Sequence, residues 1–239
     1  MKKLIKLILP KSAVIRMQKL SVKYPRLSGI TTEKIFTNSH VTNGLKNMES
    51  ASGPGSAMSA TENIRQALPK LFTSHQIKNI IDIPCGDFHW MRHVDLSDID
   101  YKGFDIVQPL IAQNVKRYQN KGRSFEQKDL LTDSLEKADL VLNRECLVHL
   151  SLKEIAKALM NIKKSGSTYL FTTTYPDWST NEDIITGDWR PLNLQKEPFN
   201  LPSPELLIKE NYSTEKINKY SRKCLGLWKV KNIPNIPVI

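Results

Sequence analysis

Two acidic side chains stand at or near the ends of short apolar runs, where they could bind a nucleotide-like ligand. The first run, residues 80–83, contains Asp82 and leads into a tight turn with Gly86. The second ends at Asp105, about 20 residues further on, the usual distance between a phosphate-binding turn and a ribose-binding acid. In an open α/β sheet, ligands bind beyond the carboxyl ends of the strands. The spacing favours such a ligand, and an ordinary strand-to-helix turn is the alternative for residues 82–86.

Two more runs also end in polar residues. The third is followed by Asp129 and Leu130, and the fourth, residues 140–143, ends at Asn143 and leads to Glu145. Because the carboxyl ends of parallel strands share one edge of a sheet, four strand ends would deliver polar side chains to one place. A carboxylate at such an edge can accept hydrogen bonds from two adjacent hydroxyls.

This ordered series of motifs resembles the class I S-adenosylmethionine-dependent methyltransferases over roughly residues 50–230. The resemblance implies that the turn at residues 82–86 holds the methionine part of the cofactor and that Asp105 binds its ribose. It places the adenine at Asp129 and Leu130 and the transferred methyl beside residues 143–150. The cofactor-binding residues that it implies are Asp82, Pro84, Cys85, Gly86, Asp105, Ile106, Asp129, Leu130 and Asn143.

The glycine turn departs from the usual Asp/Glu-x-Gly-x-Gly-x-Gly form, because Pro84 and Phe88 stand at the first and third glycine positions. Proline fixes φ and lacks an N–H, so the backbone near the methionine must follow a different path. The runs SGPGS, PCGDFHWM, LVHLS and TGDWRPLNL resemble a narrower group of bacterial methyltransferase-domain proteins that shares the Pro-Cys-Gly-Asp form. Asp87 would either accept from the cofactor's ammonium or cap the next helix.

Strand-like and helix-like stretches alternate after residue 59. Capping boxes predict helices beginning near Ser59 and at Ser151, and residues 109–118 form a further helical stretch. Residues 168–174, 205–208 and 225–230 predict later strands. The alternation predicts a Rossmann-like, doubly wound α/β fold with a mostly parallel, seven-stranded sheet. The resemblance implies that the last strand is antiparallel and lies beside the fifth.

Charge is divided unevenly along the 239 residues, whose net charge is +11. Residues 1–48 carry ten Lys or Arg and one acid, which predicts a basic N-terminal extension before a methyltransferase domain at residues 49–239. Within the extension, residues 1–26 would either contact an anionic membrane or form a helix with a solvated basic face. Residues 37–59 have loop composition, and SGPGS within them would either fold over the cofactor or serve as a linker.

The N-terminal apolar run is too short to span a membrane and lacks the features of a signal peptide. The three cysteines show no metal-ligand spacing and suit a reducing compartment. These features predict a cytoplasmic protein, with peripheral contact at the inner membrane surface as an open possibility, and no metal site.

A long aromatic loop at residues 175–204 is expected to cover the acceptor, and a satellite cluster packed on the domain is the alternative. Within it, Trp178 and Trp189 would stack on a sugar or flat ligand, while Arg190 would bind a phosphate or carboxylate. A hydroxyl acceptor needs a base to remove its proton. The candidate bases, in order, are His149, Glu145 and Asp188.

The sequence therefore favours methyl transfer from S-adenosylmethionine to a small molecule or a glycan precursor, at oxygen, in polysaccharide biosynthesis. A nucleic-acid methyltransferase and a non-catalytic cofactor-binding protein of the same fold are the alternatives. An NAD(P) oxidoreductase is disfavoured because G-x-G-x-x-G is absent. The oligomeric state stays open.

Overall fold

The computed structural model describes residues 31–45, 49–210 and 223–236. Predictions for residues 1–26 therefore lie outside the described residues. No helix within the described ranges combines the length and apolarity needed to cross a bilayer. The longer helices are α1 (Thr32–Leu45), α2 (Glu62–Ser74), α3 (Gln108–Tyr118) and α4 (Leu152–Lys164). The strands are β1 (Asn79–Asp82), β2 (Asp100–Asp105), β3 (Arg123–Gln127), β4 (Leu140–Asn143), β5 (Tyr169–Thr174), β6 (Leu206–Lys209) and β7 (Cys224–Lys229).

All seven strands form one sheet in the order β3-β2-β1-β4-β5-β7-β6. Neighbours from β3 to β5 are parallel, whereas β7 lies antiparallel between β5 and β6. The predicted seven-stranded, mostly parallel α/β fold is confirmed, as is the antiparallel last strand beside β5. The strand order reverses between β1 and β4, and such a reversal opens a crevice at the carboxyl ends of the strands.

The central strands are buried on both faces, which explains their nearly continuous apolar sequences. Successive side chains of a strand point to opposite faces. In β4, Leu140 and Leu142 belong to a core cluster that includes α2, while Val141 belongs to the cluster that includes α4. The sheet is therefore covered by helices on both sides, and its carboxyl edge is left for a ligand.

The two predicted capping boxes have different outcomes. Ser151 caps α4, since its side chain accepts from the backbone N–H of Glu154 and that residue's side chain bonds back. The box predicted at Ser59 is wrong, because α2 begins at Glu62 and its N-cap Thr61 donates its hydroxyl to the carbonyl of Ala57 instead. Pro69 lies inside α2 without ending it, and the apolar side chains of Ile64, Leu68, Leu71 and Phe72 are buried.

Helix α1 corrects the loop predicted for residues 37–59, of which residues 37–45 are helical. Its apolar residues follow no helical period, so hydrophobic periodicity could not predict this helix. Its side chains nevertheless contact the domain: the Gln127 amide donates to Glu33 at 3.2 Å, and Phe36 packs edge-on to His149. The domain boundary at residue 48 stays a prediction.

Candidate functional site

A cavity of about 670 Å³ opens at the carboxyl ends of β1, β2 and β4. Small-molecule sites in proteins commonly have volumes of about 300–1,000 Å³. The structure brings most of the sequence-predicted site residues to its walls. Those that line it are Asp82, Pro84, Cys85, Gly86, Asp105, Ile106, Asp129, Leu130, Glu145, His149 and Trp189.

Asp105 joins the end of β2 to the glycine turn. Its Oδ2 accepts from the backbone N–H of Gly86 at 3.0 Å, and its Oδ1 accepts from that of Val107 at 2.9 Å. Burial raises the pKa of this carboxyl to about 6, although backbone hydrogen bonds oppose the rise. Each carboxylate oxygen has two lone pairs, so Asp105 can also accept from ligand hydroxyls on the cavity side.

Asp82 ends β1 and is only 2% exposed. The hydroxyl of Tyr101 donates to its Oδ2 at 2.6 Å. Burial raises the pKa of Asp82 to about 7, and nearby Asp105 adds to the rise, while Tyr101 and Arg144 oppose it. A cationic ligand group in the cavity would favour the ionised form of both carboxyls.

These raised pKa values predict that the ligand-free protein loses stability as pH rises. In the unfolded chain the aspartates return to about 3.8, so the folded state binds their protons more tightly. The contribution to stability is full below that pH and is lost as pH rises through about 6 and 7. Between pH 5 and pH 8, we expect the free energy of unfolding of Asp82→Asn to fall less than that of wild type, by on the order of a few kcal/mol. Urea denaturation at both pH values measures this, and equal declines in the two proteins would contradict it.

The loop at residues 49–56 forms one wall of the cavity and is fastened by Asp87. The carboxylate accepts from the hydroxyls of Ser50 and Ser52 and from the N–H of Ala51 at 2.8 Å. Gly86 has a φ of +57°, and a Cβ there would collide with the hydroxyl oxygen of Ser52. The structure thus gives Asp87 a role that neither sequence interpretation anticipated. It does not cap the short 3-10 helix that follows, which has no side-chain cap.

His149 ends a short 3-10 helix after β4, and its Nδ1 lies 2.9 Å from the backbone oxygen of Asp188. A carbonyl oxygen only accepts, so Nδ1 carries a proton in this contact, and in the neutral ring the lone pair is on Nε2. The contact uses the main chain of Asp188, whose exposed side chain does not line the cavity. Of the two residues, His149 alone can act as a base at this wall.

A buried ion network, which the sequence did not reveal, reaches the cavity through Arg144, Glu145 and Lys223. Arg144 Nε lies 2.7 Å from Glu210 Oε1, and Lys223 Nζ lies 2.9 Å from Glu210 Oε2 and 3.3 Å from Glu145 Oε1. Burial tends to raise the pKa of Glu145, but Lys223 and Arg144 outweigh it and the pKa is lowered. Glu145 is therefore a poor proton acceptor, since it is ionised and held by cations.

Three other predicted site residues do not line the cavity, namely Asn143, Trp178 and Arg190. Asn143 donates its amide to the carbonyl of Ile83 and accepts from the hydroxyl of Thr172, so both ends of its side chain are used. Trp178 packs against the apolar core. Neither side chain lines the cavity, and the contacts of Asn143 with the cofactor and of Trp178 with the acceptor stay predictions.

Arg190 is the third of these residues, and its predicted contact with a ligand anion stays a prediction. It is 5% exposed and donates to the carbonyls of Glu182, Leu147 and Leu150. These bonds fasten the long loop to the segment that carries His149. The guanidinium thus serves main-chain carbonyls, and a ligand anion would have to displace them.

Removing this guanidinium should therefore destabilise the protein. Arg190→Ala strands buried carbonyls that now accept charge-assisted hydrogen bonds, and we expect a loss of about 3 kcal/mol in the free energy of unfolding. Chemical denaturation measures the loss. An unchanged denaturation midpoint, together with weaker ligand binding, would indicate that Arg190 binds the ligand.

Comparisons with known proteins identify the fold. No protein-family model matches the sequence, and no curated protein matches it. Among solved structures, magnesium protoporphyrin IX methyltransferase from Synechocystis PCC 6803 with bound SAM aligns over 82% of this chain and 96% of its own, with a TM-score of 0.52 and 14% identity. The methyltransferase domain of bacterial CtHen1-C aligns over 71% of this chain and 98% of its own, with a TM-score of 0.51 and 14% identity.

A third structure is N-methyltransferase NodS from Bradyrhizobium japonicum WM9 in complex with S-adenosyl-L-homocysteine. It aligns over 70% of this chain and 86% of its own, with a TM-score of 0.50 and 17% identity. NodS is named as an N-methyltransferase, whereas the names of the other two proteins give no acceptor atom. At these identities the likeness concerns the fold. This chain has the seven-stranded α/β fold of these methyltransferases.

Proposed function

We propose that this protein transfers a methyl group from S-adenosylmethionine to a hydroxyl of a small-molecule or glycan-precursor acceptor. The observation that carries the proposal is the pairing of two buried carboxylates, Asp82 and Asp105, around the turn at Gly86 in one cavity. The fold supports it, because similar structures hold S-adenosylmethionine or S-adenosylhomocysteine. The imidazole of His149, which lines the same cavity and is oriented by its bond to the carbonyl of Asp188, supports the choice of oxygen.

The residues present fit this cofactor chemically. Asp105 keeps lone pairs for a ribose diol beyond those that bind Gly86 and Val107. Burial raises the pKa of Asp82, and a cationic ligand would stabilise the ionised form of this carboxyl. Asp129 and Leu130 line the same cavity, where a purine would meet one apolar and one polar side chain. When bound, the cofactor supplies an electrophilic methyl group on a sulfonium.

The chain itself must then orient the acceptor and take up its proton. His149 Nε2 can accept the hydroxyl proton, while its Nδ1–H stays bonded to the carbonyl of Asp188. That bond fixes the ring orientation and the tautomer. Glu145 is less suited to the task because its pKa is lowered, and the Asp188 side chain is absent from the cavity wall.

A screen of acceptors tests the proposal. The purified protein is incubated with S-adenosylmethionine and nucleotide sugars, lipid-linked glycans, simple phenols or RNA and DNA oligonucleotides, and release of S-adenosylhomocysteine is measured. We expect release with a hydroxyl compound and methylation at its oxygen by mass spectrometry. Methylation of a nucleic-acid base in preference to every small molecule would contradict the proposed acceptor while keeping the proposed cofactor.

A further inference from the structure

Glu145 has a backbone conformation that few residues other than glycine adopt. Its φ is +55°, two residues beyond the end of β4, and its N–H donates to the hydroxyl of Thr173 at 2.9 Å. Such a conformation costs of order 1–3 kcal/mol and persists where the surroundings enforce it, often at ligand sites. The unusual φ of Glu145 therefore favours a ligand-binding role for its carboxylate.

A lysine from the far end of the sheet pairs with that carboxylate, and a second glutamate pairs with the lysine. Lys223, next to β7, is 3% exposed and lies 3.3 Å from Glu145 Oε1, while Glu210, after β6, is 1% exposed and holds Lys223 at 2.9 Å. Oε1 of Glu145 is fully buried against this lysine, so the part of the side chain that stays exposed is on the Oε2 side. Oε2 lies near Gly55 of the loop that walls the cavity.

The charges of the network indicate which ligand groups suit this oxygen. Two cations, Arg144 and Lys223, balance two anions, Glu145 and Glu210, so the group is neutral as a whole. A ligand ammonium would bring an additional charge into a largely buried site, which is costly without a partner. A hydroxyl donates a hydrogen bond to the carboxylate and adds no charge.

The remaining walls on this side combine rings with small polar side chains. Phe36, Tyr175 and Trp189 line the cavity, and the last two meet edge to face with centroids 6.0 Å apart. Trp189 is 36% exposed, so part of its indole is available to a ligand. Ser39 and Ser56 add hydroxyls to the same lining. Apolar rings beside hydrogen-bonding groups suit a ligand with C–H faces and several hydroxyls.

We propose that Glu145 recognises the acceptor as a neutral sugar ring, accepting a hydrogen bond from a hydroxyl adjacent to the one that is methylated, and that Lys223 and Glu210 position it. The inference rests on the proposed function, because the methylated hydroxyl is the one that faces His149. Glu145 is then a specificity-determining residue, and Lys223 acts only through it.

Binding measurements without turnover test this inference. The protein is saturated with S-adenosylhomocysteine and titrated with UDP-linked and methyl glycosides of common pyranoses, with catechol and with glucosamine, while tryptophan fluorescence and saturation-transfer NMR are followed. Glu145→Gln is the main variant, since it keeps the shape of the side chain. Glu136→Gln is the matched control, because Glu136 also pairs with a lysine, Lys102 at 2.6 Å, and does not line the cavity.

We expect a neutral pyranoside to bind, Glu145→Gln to weaken it at least tenfold, and Glu136→Gln to leave it unchanged, with the affinity for S-adenosylhomocysteine equal in all three proteins. Lys223→Gln should weaken the sugar similarly, and Lys223→Arg should restore most of the affinity, which loss of general stability would not produce. Preference for catechol or glucosamine over every neutral glycoside, no glycoside binding, or equal glycoside affinity in Glu145→Gln would overturn the inference. Failure of S-adenosylhomocysteine to bind wild type would instead count against the proposed function.

Discussion

Replacing His149 by alanine is expected to lower kcat for methyl transfer about a hundredfold, the lower end of what a positioned general base contributes. The affinity for S-adenosylhomocysteine should stay within twofold of wild type, because His149 bonds to the main chain of Asp188 and packs edge-on to Phe36, and we assign the cofactor to Asp82 and Asp105. The effect arises because Nε2 is the nitrogen left free when Nδ1 bonds to the carbonyl of Asp188. Single-turnover kinetics with the acceptor found by the screen measure the chemical step.

His75→Ala is the control for this substitution, since His75 lies at the end of α2 beside Tyr169 and does not line the cavity. It should leave kcat unchanged. His149→Gln separates positioning from proton transfer, because glutamine can hydrogen-bond but cannot accept the proton. Full activity in His149→Ala would remove this residue as the base.

Replacing Asp105 by alanine is expected to weaken the binding of S-adenosylhomocysteine by more than tenfold. The substitution removes the carboxylate that we assign to the ribose. It also removes the acceptor for the N–H groups of Gly86 and Val107, which shape the turn around the ligand. Each buried hydrogen bond to a charged acceptor is worth about 1.5–3 kcal/mol, enough for this loss. Calorimetry measures the affinity directly.

Asp95→Ala is a matched control for Asp105. Asp95 also accepts a backbone N–H two residues ahead, that of Ser97 at 3.1 Å, but it is exposed and lies outside the cavity. Its substitution should leave binding unchanged. Circular dichroism of both variants establishes that they are folded. An Asp105→Ala protein that is folded and binds normally would invalidate the ribose assignment.

The meeting of the strand-end carboxylates at one cavity could be predicted because local pattern and topology act together there. Asp82 and Asp105 follow apolar runs, and parallel pairing of β1 with β2 brings their ends to one edge. A few consecutive residues therefore predict each strand end, and the alternation of strand-like and helix-like stretches predicts that these ends share one edge of the sheet. The alternation of the fold was predictable for the same reason, whereas the place of β7 beside β5 came from the family resemblance.

The part of the cavity wall formed by Arg144, Glu145 and Lys223 was less predictable because long-range contacts define it. Glu210 and Lys223 meet Arg144 only after β6 and β7 have paired, and nothing in the sequence links these charges. Arg190 is a second case: an arginine in an aromatic loop suggested an anion site, and the sequence did not reveal that the guanidinium donates to the carbonyls of Leu147 and Leu150. Helix α1 lacked an apolar period and was missed altogether.

The most direct test of the account is calorimetric titration of the purified protein with S-adenosylmethionine and S-adenosylhomocysteine, with NAD and NADP as controls. The carboxylates and the glycine turn predict micromolar binding of both sulfur compounds and none of the dinucleotides. Binding should strengthen as pH rises through about 6 and 7, as Asp105 and Asp82 ionise. Absence of binding to either sulfur compound at any pH between 6 and 8 would contradict the central claim.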